Sequence, residues 1–246
     1  MIVVTRESRD GIAEGRLLVS VIVPVLDEAS AIAGLLDHLA ALPGRWEVIV
    51  ADGGSGDGTR DLADRHPSRP PIVDSPRGRA AQMNAGASVA RGEVLLFLHA
   101  DTRLPAGAHA SLADAVADRA VLGGNFALAF DGADRFSALL RRWYAIQRRA
   151  GIYYGDSAIW LRAATFRRLG GYAPVPIMED YDLVCRLHRA GATRCLPGPA
   201  LTSARRWQQL GLPRTIAAWV VIRWLYLAGV PPQRLAGLYP HAREGR

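Results

Sequence analysis

Three acidic clusters lie far apart in the chain, and each one ends or begins a segment with a regular hydrophobic pattern. Asp52 follows the strand-like run 47–51, and Asp101 closes the apolar run 94–100. The third cluster, Glu179–Asp182, begins a segment with helical spacing. Open α/β sheets bind ligands at the carboxyl ends of their strands, where a carboxylate can hold a divalent cation against a diphosphate. The three clusters therefore predict a nucleotide, a metal and a general base at one site.

The segments that must position these acids predict an α/β fold. Between residues 17 and 101, apolar β-branched runs alternate with segments of helical spacing. This alternation is typical of a mainly parallel central sheet with helices on both faces. After Pro105 the strand-like and helical segments alternate less regularly. We therefore expect the second half to contain mixed parallel and antiparallel strands and to complete the same sheet.

The composition fits one large domain with a sizeable core. The chain has 246 residues, of which 50% are hydrophobic, and a formal net charge of +7. All 30 cationic residues are arginines, a side chain suited to bidentate phosphate contacts. The sequence has no RNP-type aromatic signature, zinc-ligand spacing or dense basic stripe, so no nucleic-acid partner is expected. Cys185 and Cys195 are too few for a disulfide framework and predict reduced thiols of the cytoplasm.

Both ends of the chain differ from the central part. Residues 1–16 lack the apolar segment of a signal peptide and are expected to form a flexible tail. Residues 208–246 predict an apolar, helical and basic extension, and its segment 215–230 is too short to span a bilayer. Two interpretations of 215–230 stay open: a helix lying on an anionic membrane surface, or a helix packed on protein.

The glycine-rich loop 53–58 does not match the common phosphate-binding motifs. Thr59 stands where G-x-G-x-x-G requires its third glycine, and a P-loop is excluded because the chain has no lysine. Asp52, before this loop, could accept a hydrogen bond from a nucleotide base or could bond its own turn. Asp57 is interpreted as a structural residue at a helix start.

Four segments, in this order and spacing, resemble family 2 glycosyltransferases with a GT-A fold: residues 19–28, 50–59, 97–101 and 178–183. The resemblance covers residues 17–207, which we expect to form the catalytic domain. The variants Ala-Asp-Gly-Gly-Ser and Leu-His-Ala-Asp-Thr are similar to a bacterial subgroup of that family.

The resemblance implies a set of donor-binding residues. Pro24 and Glu28 would line the nucleotide pocket, Asp52 would read the base, and Arg79 would reach the phosphates. Arg206 and Trp207 would also contact the nucleotide sugar, as part of an element that resembles Q-x-x-R-W. Serine replaces its glutamine here, which favours transfer of single sugars over processive polymerisation.

The resemblance also implies the metal site and the base. Asp101 matches the second aspartate of the D-x-D motif and would hold Mg²⁺ or Mn²⁺, while His99 replaces the first aspartate. His99 could ligate the metal, bond a ribose hydroxyl, or be a hydrogen-bonded residue at a strand end. Asp180 matches the catalytic base, although acids at a helix start also favour the helix dipole without any catalytic role. Gly53 replaces the second aspartate of the usual Asp-Asp-Gly-Ser.

The implied activity is that of an inverting hexosyltransferase. It would move a sugar from a UDP- or GDP-sugar to the hydroxyl or carboxyl of a small-molecule, lipid-linked or carotenoid-type acceptor, at the inner face of the plasma membrane. A non-catalytic nucleotide-sugar-binding protein is an alternative. A sugar-1-phosphate nucleotidylyltransferase is another, but residues 24–28 are not the glycine-rich loop it needs.

Overall fold

The computed structural model describes residues 16–131, 135–149, 151–203 and 212–238. Strands and helices alternate in the first half: β1 (Leu18–Val25), α1 (Ala29–Ala41), β2 (Arg45–Asp52), α2 (Thr59–Asp64), β3 (Ile72–Asp74), α3 (Arg79–Val89) and β4 (Val94–Phe97). The second half adds β5 (Thr102–Arg103), α4 (Ala108–Ala117), β6 (Val121–Phe130), α5 (Arg135–Arg149), β7 (Trp160–Arg162), α6 (Ala163–Arg168), α7 (Glu179–Ala190), β8 (Ala192–Thr202), α8 (Leu212–Leu227) and α9 (Pro232–Ala236).

The described strands form one eight-stranded sheet in the order β3-β2-β1-β4-β7-β6-β8-β5. Strands β1 to β4 pair in parallel, because a helix carries the chain back across the sheet before each of these strands begins. In the second half β7 runs antiparallel to β4 and β6, and β5 runs antiparallel to β8. The predicted α/β class is confirmed, and the second half of the sheet is mixed, as expected.

Helices cover both faces of the sheet. Val21 and Val23 of β1 belong to the core cluster that includes Leu35 of α1. Ile22, whose side chain points to the opposite face, belongs to the cluster that includes Met83 of α3. Helix α3 lies close against that face, since a Cβ added to Gly86 would be 2.5 Å from an Ile22 methyl group. This close packing fixes the start of α3 at the carboxyl-end edge of the sheet.

Strand β4 is shorter than the apolar run predicted, and Asp101 therefore lies in a turn after the strand. The last bond between β4 and β1 runs from Leu98 N to Ile22 O. The next bond of this ladder would need an N–H from Pro24, which proline does not have. The chain turns instead, with Thr102 N donating to His99 O, and this turn carries His99 and Asp101 away from the sheet.

The described part of the C-terminal segment packs on the rest of the protein. Ile222 of α8 and Leu235 of α9 share a buried cluster with Met178 and Tyr181, which lie at the start of α7. Among the described residues, no helix combines the length and hydrophobicity needed to cross a bilayer. One side of α8 is therefore packed on protein, which is one of the two interpretations of segment 215–230. Trp224, on the same helix, is 67% exposed.

Candidate active site

A cavity of about 500 Å³ opens at the carboxyl-end edge of the sheet. Six of its ionisable lining residues come from the β4–β5 turn, the start of α3, the start of α7 and the turn before β7: Arg79, His99, Asp101, Asp156, Glu179 and Asp180. Helices α5 and α8 add mainly aromatic and apolar side chains, among them Trp143, Tyr144, Trp219, Val220, Ile222 and Trp224. The cavity thus combines ionisable groups suited to chemistry with an apolar surface.

His99 and Asp180 face each other across Gly155. A Cβ added to Gly155 would lie 3.1 Å from His99 Nε2 and 3.4 Å from Asp180 Oδ2. The predicted site residues His99, Asp101 and Asp180 are therefore brought together, although Asp101 and Asp180 are 79 positions apart in the chain. The absence of a side chain at Gly155 leaves the space between them open.

Backbone N–H groups hold the Asp180 carboxylate. Gly155 N donates to Oδ2 at 2.7 Å, and Tyr181 N donates to Oδ1 at 2.7 Å. Asp180 also lies in the first turn of α7, where the helix dipole favours a negative charge. Met178, just before this helix, has a φ of +67°, a conformation that residues other than glycine rarely adopt. Its side chain is buried against α8 and α9, and this packing holds the strained backbone in place.

Glu179 is the buried acid of the third acidic cluster. It is 5% exposed, and burial raises the pKa of its carboxyl to about 7, with a further upward contribution from the Asp180 charge. Arg79 Nη1 lies 3.6 Å from Glu179 Oε1 and opposes this rise. The three acids at 179, 180 and 182 look alike in the sequence, and only the tertiary packing distinguishes the buried one.

The residues present fit a divalent cation that is completed by a substrate diphosphate. His99 and Asp101 both line the cavity, while the described ranges contain no group of three or more His, Cys, Asp or Glu side chains arranged around one point. Mg²⁺ in phosphate-handling proteins is commonly held by one or two carboxylates and by phosphate oxygens of the substrate. Asp101 with His99 would be the protein's share of such a site.

The start of α3 offers a second anchor for phosphates. Within the described residues no side chain caps its first turn, so the backbone N–H groups there can meet a ligand. A helix N-terminus with open N–H groups favours anions. Arg79, the first residue of this helix, lines the cavity and is 43% exposed.

The predicted base-reading residue Asp52 lies on a neighbouring loop and is not among the residues that line the cavity. Its Oδ1 accepts hydrogen bonds from Ser55 N at 3.0 Å and Ser55 Oγ at 2.7 Å, as the turn interpretation expected. Its Oδ2 lies 3.8 Å from an Arg60 nitrogen. Because β1 separates β2 from β4, the ends of these two strands are about 10 Å apart. Asp52 and Asp101 thus share one edge of the sheet without touching.

Pro24, near the end of β1, and Glu28, in the loop after β1, also lie at this edge and outside the cavity lining. The loop after β1 is bonded to the glycine-rich loop. Glu28 N donates to Thr59 Oγ1 at 2.8 Å, and Ala29 N donates to Asp57 Oδ2 at 2.9 Å. The carboxylate of Asp57 therefore satisfies one backbone donor at the start of α1, and its Oδ1 accepts from Thr59 N at the start of α2 at 3.0 Å, in agreement with its structural interpretation. These bonds hold the two loops in a fixed arrangement.

The space at position 53 is restricted by a neighbouring side chain. A Cβ there would lie 3.0 Å from Cδ of the buried Gln82, and this amide donates to Val25 O at 2.6 Å and Ala51 O at 3.1 Å. Gln82 thus ties β1 to β2 through the space that a larger residue at position 53 would need. A side chain at position 53, as in Asp-Asp-Gly-Ser, would be in tight contact with this amide.

Arg206 and Trp207 lie outside the described residues, as do the predicted domain boundary at 207–208 and residues 1–15 of the predicted tail. Ser203, at the beginning of the same Ser203–Trp207 element, does line the cavity.

Comparison with known proteins identifies the family. A model of the family described as Glycosyl transferase family 2 matches residues 20–168, more than half of the chain. Dodecaprenyl-phosphate galacturonate synthase of Rhizobium johnstonii is 34% identical over 95 residues, which cover 35% of this chain and 28% of that protein. A PGL/p-HBAD biosynthesis glycosyltransferase of Mycobacterium tuberculosis is 36% identical over 91 residues, covering 35% of this chain and 36% of that one. The alignments thus span about a third of these relatives.

Solved structures share the fold. The mannosyltransferase PcManGT from Pyrobaculum calidifontis, in complex with GDP-Man and Mn²⁺, matches with a TM-score of 0.63 and 25% identity over 88% of this chain and 65% of that one. Glucosyl-3-phosphoglycerate synthase from Mycobacterium tuberculosis, in complex with Mn²⁺, UDP and phosphoglyceric acid, has a TM-score of 0.63 and 20% identity over 91% of this chain and 83% of that one. The predicted GT-A fold is confirmed by these neighbours. Because the family model matches residues 20–168, this chain belongs to glycosyltransferase family 2.

Proposed function

We propose that this chain is an inverting hexosyltransferase that moves a sugar from a nucleotide diphosphate to an acceptor hydroxyl or carboxyl. The observation that carries this proposal is the convergence of His99, Asp101 and Asp180 on one cavity together with Arg79. Such a cavity holds groups for the leaving diphosphate and a carboxylate for the attacking acceptor. The family membership supports the same activity.

In the proposed reaction Asp180 is the general base. Its carboxylate accepts the proton of an acceptor hydroxyl while the acceptor oxygen attacks the anomeric carbon. Arg79 and the N-terminus of α3 stabilise the negative charge that grows on the departing diphosphate. This single displacement inverts the anomeric centre and needs no nucleophile from the protein. A divalent cation bound by Asp101 and His99 would neutralise part of the diphosphate charge.

The proposed donor is a UDP- or GDP-sugar, and the proposed cation is Mg²⁺ or Mn²⁺. Support comes from PcManGT, whose structure holds GDP-Man and Mn²⁺. Asp52 would accept a base N–H through Oδ2, because Ser55 already occupies Oδ1. Pro24 and Glu28 would border the same nucleotide pocket at the neighbouring strand end.

A thermal-shift titration with UDP and GDP, each with Mn²⁺ or with EDTA, tests donor and metal binding together. One of the two nucleotides at about 100 times its Kd is expected to raise the Tm by about 5–10 °C when Mn²⁺ is present. The substitution Asp101→Asn should abolish most of this shift, since it removes the carboxylate that anchors the cation. Asp114→Asn is the matched control, because Asp114 is 80% exposed and pairs with Arg194. Equal shifts with Mn²⁺ and with EDTA would contradict the metal site.

We propose an apolar, lipid-linked or carotenoid-type acceptor. Trp143, Trp219 and Trp224 line the cavity and offer flat apolar surfaces on the side of α5 and α8. One relative, the Rhizobium johnstonii protein, is a dodecaprenyl-phosphate galacturonate synthase, which supports a lipid acceptor.

We also propose that segment 215–230 contacts the inner face of the plasma membrane. Val221 and Leu227 on α8 are about half exposed, beside the exposed Trp224. The inner leaflet is anionic and attracts a chain with a net charge of +7. The free cysteines Cys185 and Cys195 are in keeping with a reducing compartment.

Flotation with phosphatidylglycerol-containing vesicles tests the membrane contact. The double substitution Val221→Glu and Leu227→Glu is expected to lower the bound fraction at least tenfold, because burying each apolar side chain in lipid contributes about 1.5–3 kcal/mol. Leu62→Glu changes an exposed leucine on α2 and should leave flotation unchanged. If the double variant floats like the unsubstituted chain, α8 is not the contact.

A further inference from the structure

Arg223 brings a positive charge into the aromatic side of the cavity without an acidic partner. It lies on α8 and lines the cavity beside Trp219 and Trp224. Its Nη1 donates to the neutral Gln147 Oε1 at 3.2 Å, and its charge opposes the rise that burial causes in the pKa of Tyr181. No acid of the described ranges forms an ion pair with it.

The Nε–H of Arg223 lacks a partner within the described part of the chain, although this atom is buried. Burying a donor of a charged group without a partner costs free energy, and the cost is larger than for a neutral donor. A phosphate or carboxylate accepts two parallel hydrogen bonds from a guanidinium, one of them from Nε. An anionic ligand beside this guanidinium would therefore give the Nε–H of Arg223 the acceptor that the protein does not provide.

Arg223 lines the same cavity as the proposed base Asp180. Burial raises the pKa of Tyr154 well above its ordinary value, the Arg223 charge opposes this rise, and the Asp180 charge adds to it. Both charges therefore act on the same hydroxyl. An anion held at Arg223 would be bound by helix α8, which is a different element from those that carry Arg79 and Asp101.

We propose that Arg223 binds an anionic head group, a phosphate or a carboxylate, of an acceptor whose apolar tail packs against Trp143, Trp219 and Trp224. The inference rests on the proposed function and deepens it, because it gives the acceptor class as an anionic amphiphile. Trp143 is 46% exposed and Trp224 is 67% exposed, so the tail leaves the cavity between α5 and α8. The head group remains inside at Arg223, and the hydroxyl that gives its proton to Asp180 is a separate group of the same acceptor.

Binding of three probes in the absence of donor tests this proposal: dodecyl phosphate, dodecanol and inorganic phosphate. Quenching of tryptophan fluorescence reports the binding, because three tryptophans line the cavity. Dodecyl phosphate is expected to bind at least tenfold more tightly than either other probe. Dodecanoate in a parallel titration distinguishes a carboxylate from a phosphate preference.

The variant Arg223→Gln should weaken dodecyl phosphate binding about tenfold or more and leave dodecanol binding unchanged. Arg223→Lys keeps the charge and should recover part of the affinity. Arg234→Gln, at an exposed arginine on α9, is the control and should bind dodecyl phosphate like the unsubstituted chain.

Three results would overturn the proposal. Equal affinity for dodecanol and dodecyl phosphate in the unsubstituted chain does so without any variant, even where Arg223→Gln fails to fold. If Arg223→Gln and Arg234→Gln weaken dodecyl phosphate binding equally, the net positive charge of the chain attracts the anion and Arg223 does not bind it specifically. A loss of the UDP or GDP shift with Mn²⁺ in Arg223→Gln would assign the arginine to the donor. If UDP or GDP with Mn²⁺ does not raise the Tm of the unsubstituted chain, the proposed function fails. That result is distinct from a failure of the Arg223 proposal, which the lipid probes test without any donor.

Discussion

Replacing Asp180 with asparagine is expected to lower the rate of nucleoside diphosphate release from the donor sugar by about 10²–10⁴-fold, the usual contribution of a general base. An amide has the size of the carboxylate but cannot take the acceptor proton. The Tm shift caused by nucleotide with Mn²⁺ should persist, because Asp101 and Arg79 are unchanged. A coupled assay for the released nucleotide gives the rate, and NMR of the sugar product shows whether the anomeric configuration is inverted.

Asp182→Asn provides the matched control for this variant. Asp182 belongs to the same acidic first turn of α7, but it pairs with Arg186 at 2.6 Å and does not line the cavity. Its replacement should leave the rate within about twofold. Equal rates for Asp180→Asn and the unsubstituted chain would mean that Asp180 only stabilises the start of α7 through the helix dipole and is not the general base. A chain that binds the donor and releases no nucleotide would favour the non-catalytic binding protein.

Glu179→Gln is expected to remove a large pH dependence of stability. The pKa of Glu179 is about 7 in the folded chain and 4.5 when unperturbed, so between pH 4.5 and 7 the folded state holds a proton that the unfolded state has lost. The unfolded state binds fewer protons in this window, and the free energy of unfolding therefore falls as the pH rises. The total loss is about 3 kcal/mol.

Glutamine resembles the protonated acid, so the variant should match the unsubstituted chain near pH 4.5 and exceed it by about 3 kcal/mol at pH 8. Denaturation by urea at both pH values measures the difference. Glu93→Gln, at an exposed glutamate, is the control and should leave the pH dependence unchanged. If the free energy of unfolding of Glu179→Gln falls between pH 4.5 and 8 as much as that of the unsubstituted chain, another group causes the pH dependence.

Much of the fold could be predicted because its signals are local. The helical spacing between the first two apolar runs is one such signal, and the structure has α1 there, at Ala29–Ala41. The apolar run before Asp101 overestimated β4, since the end of this strand depends on the missing N–H of Pro24 on a neighbouring strand. A one-dimensional pattern does not reveal which neighbour a strand will have.

The site could be predicted only in part, because burial and pairing arise from tertiary contacts. Motif order was enough to nominate His99, Asp101 and Asp180, which line one cavity. It did not reveal that Glu179 is the buried acid of its cluster, nor that Arg223 has a buried N–H without a partner in the described structure. Both properties depend on how α7 and α8 pack around the cavity.

The most direct test of the central claim is the position of Mn²⁺ in crystals grown with Mn²⁺ and whichever of UDP and GDP gives the larger shift. Anomalous scattering should place the metal beside the Asp101 carboxylate, with the nucleotide diphosphate between it and Arg79 and with Asp180 facing the sugar end. A metal and nucleotide bound on another face, with the cavity of Asp101 and Asp180 free of both, would contradict this account.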